Sequence, residues 1–227
     1  MVETGLARRV ADAQRYLTDY GLDGWLLVDF HHNNPVFWQF VGEQRHTTRR
    51  AYLMVPPTGT PRFLLHHVDA NRLAVLGLPV EVYRSLDEQL AGLKRVIGTS
   101  RRLAMEYSPL GALPVASRVD GGTLELIRSL GAEVVSSADL LQYVVARWSE
   151  DQLAAHRRAV AKLTRIAHEL FDHLRRTIPQ GITEYEARQF LTRRFAEEGL
   201  TTAEGPVVAV NAHSADPHYE PGPSGSA

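Results

Sequence analysis

Residues 51–65 read AYLMVPPTGTPRFLL. Two apolar runs, Ala51 to Val55 and Pro61 to Leu65, flank Pro56-Pro57-Thr58-Gly59-Thr60, where proline fixes φ and glycine tolerates conformations closed to other residues. This is hairpin chemistry, and it makes the sheet that holds it at least partly antiparallel. Just upstream, Gly24 to Asp29 (GWLLVD) predicts a buried strand. Further upstream, Leu6, Val10, Ala13 and Leu17 recur at helical spacing before Gly21 and predict an opening helix.

Downstream of the hairpin, helix and strand signals alternate. They predict a short helix near Asp69 to Leu76, a strand Val80 to Tyr83, and a helix after Ser85, whose spacing to Glu88 fits a capping box. A strand Arg102 to Met105, a helix Thr123 to Leu130 stopped by Gly131, a strand Glu133 to Val135 and a helix Ala138 to Val145 follow. The fold class is α/β, a mixed sheet flanked by helices, over residues 1–147. Near Arg147 the pattern changes. Ser149 and Gln152 form a second capping box, followed by an apolar stripe at Leu153, Val160, Leu163, Ala167, Leu170 and Leu174. That helix stops at Ile178-Pro179-Gln180-Gly181, and Thr183 with Glu186 caps another that runs to Glu198. Pro206 to Val210 predicts one strand, and the tail from Glu220 to Ala227 is Pro, Gly and Ser without an apolar anchor, a loop by composition. Residues 148–227 therefore form a second, smaller domain whose long amphipathic helix needs a sheet to cover it.

Composition removes whole classes of function. With no cysteine, disulfides, zinc-thiolate sites and cysteine nucleophiles are excluded, and any metal must be held by His, Asp or Glu. A net charge of −1 offers no overall attraction to nucleic acid or anionic membrane, and the scattered Arg pairs, such as Arg101-Arg102 and Arg193-Arg194, suit solvated helix faces. The start Met1-Val2-Glu3-Thr4-Gly5 carries no basic segment followed by an apolar one, so a cytoplasmic protein with no nucleic-acid or membrane partner is expected.

Histidine clusters are the remaining candidates for chemistry. His168 and His173 are five residues apart, which on a helix puts them roughly 140° from each other, so they cannot chelate one ion. His31-His32 and His66-His67 are adjacent pairs at predicted strand ends, where neighbouring side chains point to opposite faces. The best local constellation is His213, Asp216 and His218 in NAHSADPHY (residues 211–219). Spacing alone leaves metal binding, a catalytic or substrate-binding histidine and a structural role all open.

Several stretches resemble the pita-bread peptidases, the family of Xaa-Pro aminopeptidases, Xaa-Pro dipeptidases (prolidases) and creatinase. These are LDGWLLVDFHHNNPVFWQFVG (residues 22–42), the hairpin from Arg49 to Leu65, the linker ARWSEDQLAAHRRA (146–159), PQGITEYE (179–186) and VVAVNAHSADPHY (207–219). The resemblance implies an N-terminal creatinase-type domain followed by a partial α+β pita-bread domain. It identifies His218, immediately before Tyr219, with the family histidine that binds the substrate carbonyl and stabilises the tetrahedral intermediate. It further implies a proline-containing peptide as substrate, a dinuclear Mn, Co or Zn centre in the complete enzyme, and a homodimer in which the aromatic segment Phe37 to Phe40, Trp38 in particular, approaches substrate. The family's metal ligands, two Asp, one His and two Glu, all follow the His-Tyr segment, and past His218 this sequence offers only Glu220. The expectation is therefore a metal-free, inactive chain that is part of a longer metallopeptidase. A metal-free amidinohydrolase of the creatinase kind and a non-catalytic dimerisation module are the alternatives.

Overall fold

In the computed structural model, which describes residues 5–223, the apolar runs of the first 147 residues become six strands: β1 (Gly24–Asp29), β2 (Ala51–Val55), β3 (Arg62–His66), β4 (Val80–Tyr83), β5 (Arg102–Met105) and β6 (Glu133–Ser136). Residues 1–4 and 224–227, the start of the chain and the end of the Pro-Gly-Ser tail, lie outside the described residues. The chain divides into two compact units, Met1–Arg147 and Trp148–Ala227.

In the first unit the strands form one mixed sheet in the order β4-β3-β2-β1-β5-β6. The hairpin read from residues 51–65 pairs antiparallel, Ala51 opposite Leu65 and Leu53 opposite Phe63, and β1 runs antiparallel to β2. The other three pairings, β1 with β5, β3 with β4 and β5 with β6, are parallel. Side chains alternate along each strand. Trp25, Leu27, Leu53, Val55, Phe63 and Leu65 therefore face one side, packed by α1 (Gly5–Asp19), α2 (Pro35–Val41), α3 (Ala70–Ala74) and α6 (Ala138–Val144). Leu26, Val28, Tyr52, Met54 and Leu64 face the other, under α4 (Leu86–Ile97) and α5 (Gly121–Ser129). Burial on both faces is why these strands read as unbroken apolar runs rather than as alternating ones.

Sequence reading did not anticipate α2, although its boundary signals are complete. The Asn34 side chain accepts the Val36 N–H, Pro35 occupies the first turn, and Gly42 closes the helix at φ 82° while donating its N–H to the Trp38 carbonyl. Seven residues are too few to show a helical period, so the aromatic content alone stood out.

One polar group lies at the centre of this unit. Glu106, directly after β5, is fully buried. Its Oε1 accepts the Trp25 indole N–H at 2.6 Å and the Ser137 hydroxyl at 3.1 Å, and its Oε2 accepts the Asn34 amide at 2.7 Å. Burial pushes the carboxyl up to about 7, while the Trp25, Asn34 and Ser137 donors pull it back toward the usual range.

The second unit is built on α7 (Glu150–Thr177) and α8 (Glu184–Glu197). Both begin with the expected capping boxes, Ser149 with Gln152 and Thr183 with Glu186. Gly181, at φ 85°, makes the turn between them. Ion pairs tie α7 to α8 and to the residue that caps it, Arg194 to Glu169 at 2.7 Å and Arg165 to Glu198 at 2.5 Å, and Ile166 on α7 and Ala187 on α8 are buried. Val160, Leu163 and Phe171 on α7 remain exposed. The expected strand at 206–210 does not form. A strand needs a neighbour for its ladder, all six strands of the described residues pair within the first unit, and the Val210 N–H goes instead to a side-chain carboxylate.

Because the folded protein holds the Glu106 proton more tightly than the unfolded chain does, the contribution of Glu106 to the stability of the first unit is fully present below the ordinary carboxylate range and is lost as pH rises from there to about 7. Each tenfold gain in proton affinity is worth about 1.4 kcal/mol, so the loss amounts to about 3 kcal/mol. Thermal melts of wild type at pH 5 and pH 8 should show it. Glu106→Gln should be less stable than wild type at pH 5, since its amide faces the Asn34 donor, and nearly flat between the two pH values; an unchanged pH slope would exclude Glu106 as its source.

Candidate active-site segment

The segment that carries His218 is organised by a residue 34 positions upstream in sequence, Glu184. Glu184 stands in the first turn of α8, where Glu186 already closes the capping box with Thr183. Its own carboxylate, almost completely buried, is thus available for partners beyond the helix. Oε1 accepts the Val210 backbone N–H at 2.6 Å. Oε2 accepts both the Tyr219 hydroxyl and the His213 Nδ1–H, the latter at 2.8 Å. The His213 and Tyr219 rings stack, 4.2 Å between centroids and 18° between planes. These bonds, Tyr219 first, hold the Glu184 carboxyl below its ordinary range against the opposing effect of desolvation.

Between these anchors the chain turns tightly. Residues Asn211–Ala215 form a 3₁₀ helix, and Asn211 adopts φ 51°, a left-handed conformation that asparagine tolerates better than most residues. Asp216 Oδ1 then accepts the His218 N–H at 2.9 Å, and the His218 side chain is exposed next to the anchored Tyr219. The three residues singled out by spacing are therefore separated by role: His213 faces Glu184, Asp216 holds the turn, and His218 is presented to solvent.

The other sequence candidates lie elsewhere. Trp38 is buried on α2, edge-on to Phe37 and stacked obliquely on His32, each at 5.0 Å, and its Nε1 finds no hydrogen-bond partner among the described residues. His31 and His32 do not extend β1 as a strand end would. Both adopt left-handed φ, 54° and 62°, in a turn whose His32 and Asn34 amides bond to Asp29. The second pair also departs from the expected opposition of neighbouring side chains, because His67 lies past the end of β3 and its ring comes within 4.4 Å of His66. His173 stacks on Phe190 at 4.4 Å, a packing role.

Glu184 is the residue that sequence reading missed as a site component. Its partners lie 26 to 35 residues away, beyond any local spacing rule. The available signal was an acid left over beside a complete capping box. Metal chemistry has a donor set to meet, and among the described residues no three His, Asp or Glu side chains gather closely enough to hold an ion. Glu184 and His213 already bond each other, and Asp216 is bonded to the backbone of its own turn, so these side chains do not fit a dinuclear centre.

The fold that carries this geometry is that of pita-bread dipeptidases and prolidases. Dipeptidase PepE from Mycobacterium ulcerans superposes with a TM-score of 0.65 at 20% identity, covering 96% of this chain and 56% of that one. A dipeptidase from Pyrococcus horikoshii OT3 gives 0.61 at 21% identity over 96% and 58%, and a prolidase from Thermococcus sibiricus gives 0.63 at 14% identity over 97% and 58%. This chain thus spans under three fifths of the length of each. No curated protein matches it in sequence. Residues 155–226, which include most of α7, all of α8 and the His218 segment, match the model of metallopeptidase family M24. The resemblance to the creatinase and Xaa-Pro peptidase family, and with it the creatinase-like α/β unit followed by part of a pita-bread domain, is borne out.

Since the fold lowers the Glu184 pKa, its contribution to ordering 210–219 is fully present at neutral pH and disappears as pH falls through and below the ordinary carboxylate range. Amide resonances of 210–219 followed from pH 7 to pH 3 should broaden or collapse before those of α7. Simultaneous loss of both would mean that Glu184 does not anchor the segment locally.

Proposed function

We propose that the protein serves in an Xaa-Pro peptidase-like metallohydrolase, cleaving the bond before proline in a proline-containing peptide. The observation that carries this reading is that His218 stands exposed on an anchored turn inside the segment matching metallopeptidase family M24. An imidazole at that position is suited to donate a hydrogen bond to the substrate carbonyl and to the oxyanion that develops on it, a contact that strengthens toward the transition state. The family match supports divalent-metal chemistry, with Mn, Co or Zn ions supplying the activated water. Residues 5–223 do not fit such a pair, so the hydrolytic reading applies to a polypeptide or assembly that brings the ligands from outside these residues. Residues 1–227 alone are then inactive. From the family resemblance of the Phe37 to Phe40 segment we assign Trp38 a substrate contact, and we read the assembly as a cytoplasmic homodimer. Among the described residues no helix is long and apolar enough to cross a membrane.

The test begins with the intact mass of the purified natural protein and an assay of Xaa-Pro dipeptides against proline-free dipeptides with Mn²⁺, Co²⁺ or Zn²⁺. Residues 1–227 alone should show no hydrolysis. The metal-loaded natural form should cleave only before proline, and His218→Ala should lower its turnover by about a hundredfold or more with metal content unchanged. Loss of metal in that variant would reassign His218 as a ligand. Full activity in it, or no cleavage in any form that carries the ligands, would remove the reading altogether.

A further inference from the structure

We propose that Glu184 is the positioning residue of the His218 segment: its buried carboxylate clamps the segment at both ends and so fixes where the imidazole stands. The proposal rests on the reading of His218 given above.

Four observations lead to it. Glu184 is not a member of the capping box of its own helix, which Thr183 and Glu186 complete between them. The Glu184 carboxylate is nonetheless almost completely buried, a costly place for a charge unless each lone pair has work. Its two oxygens divide that work by position along the chain. Oε1 takes the N–H of Val210, where the segment begins, and Oε2 takes the hydroxyl of Tyr219, where it ends. His213 adds a third bond midway and stacks on Tyr219, so the anchors are braced against each other.

The consequence for His218 is geometric. It is the residue immediately before the Tyr219 anchor, and its backbone N–H is held by Asp216. Its main chain is therefore fixed from both sides, although its side chain is exposed and the segment has no sheet ladder to rigidify it. A catalytic hydrogen-bond donor must be placed to within a fraction of an ångström, and for an exposed turn that precision has to come from supporting contacts. Here one carboxylate supplies them. Charge matters as well as shape. An ionised carboxylate accepts three donors at once, whereas the amide of glutamine turns its NH₂ end toward one set of them.

The experiment uses the full 227-residue chain and needs no turnover. Backbone ¹⁵N relaxation of wild type should give order parameters of about 0.85 across residues 210–219, and Glu184→Ala should lower them below about 0.6 while leaving α7 and the first unit unchanged. Glu184→Gln, which keeps the shape and one acceptor, should recover about half of the lost order. Tyr219→Phe, which keeps the ring stack but removes the hydroxyl, should loosen the His218 end and spare Val210. A general loss of stability would instead loosen α7 and α8 together, and that pattern would overturn the proposal, as would Glu184→Ala order parameters near wild type. His218→Ala should leave the order of 210–217 untouched. The two readings thus fail separately. A clamp that holds while His218→Ala retains full peptidase activity removes the catalytic role alone, and a segment that stays ordered without Glu184 removes the clamp alone.

Discussion

The first unit is organised around a carboxyl group in a place where carboxyl groups are expensive. Glu106 has no counter-charge among its hydrogen-bond partners, only three neutral donors drawn from three different parts of the chain. Trp25 belongs to the middle of the sheet, Asn34 to the cap of α2, and Ser137 to the residue before α6. Remove the carboxyl and each donor is left buried without that acceptor, at about 1 to 3 kcal/mol apiece. The backbone carbonyl of the same residue receives the Arg118 and Val119 amides, so the loop after β5 closes on it too. Sheet, helix caps and loop thus share one node, and apolar packing around it can be uniform because the polar demands are gathered there.

Much of this architecture is legible from residues alone. Strands buried on both faces leave unbroken apolar runs, and Pro-Pro-Thr-Gly-Thr between two of them has little other reading. The capping boxes at Ser149 and Thr183 place two helix starts to the residue. The failures have equally physical causes. Helix α2 is too short to show periodicity, and His31-His32 enters a left-handed turn whose stabilising partner, Asp29, lies within the preceding strand. Residues 206–210 have strand composition, but a strand is a relation between two segments, and composition describes only one of them.

The candidate site divides along the same line. His218 was singled out through the family pattern around it, whereas the Asp216 bond to its backbone N–H was not read from the sequence. What sequence could not convey is the support. Nothing in the spacing of Glu184, Val210, His213 and Tyr219 shows that the last three meet on the carboxylate of the first. Residues that touch a substrate tend to sit in recognisable motifs. Residues that hold them in place are defined by tertiary contacts, and they become visible only when the chain is folded.

The sheet order has a kinetic side. The antiparallel trio β1, β2 and β3 joins segments close in sequence, Asp29 with Ala51 and Leu53 with Phe63, so closing these loops costs little chain entropy. Parallel pairing of β1 with β5 brings Trp25 beside Ala104 and must close a far longer loop, which places it later in assembly. Glu106 follows β5 directly and meets Trp25 and Asn34 only when that strand docks. The act that completes the sheet is therefore the act that dehydrates the Glu106 carboxyl, and between the ordinary carboxylate range and about pH 7 that docking draws a proton from solvent.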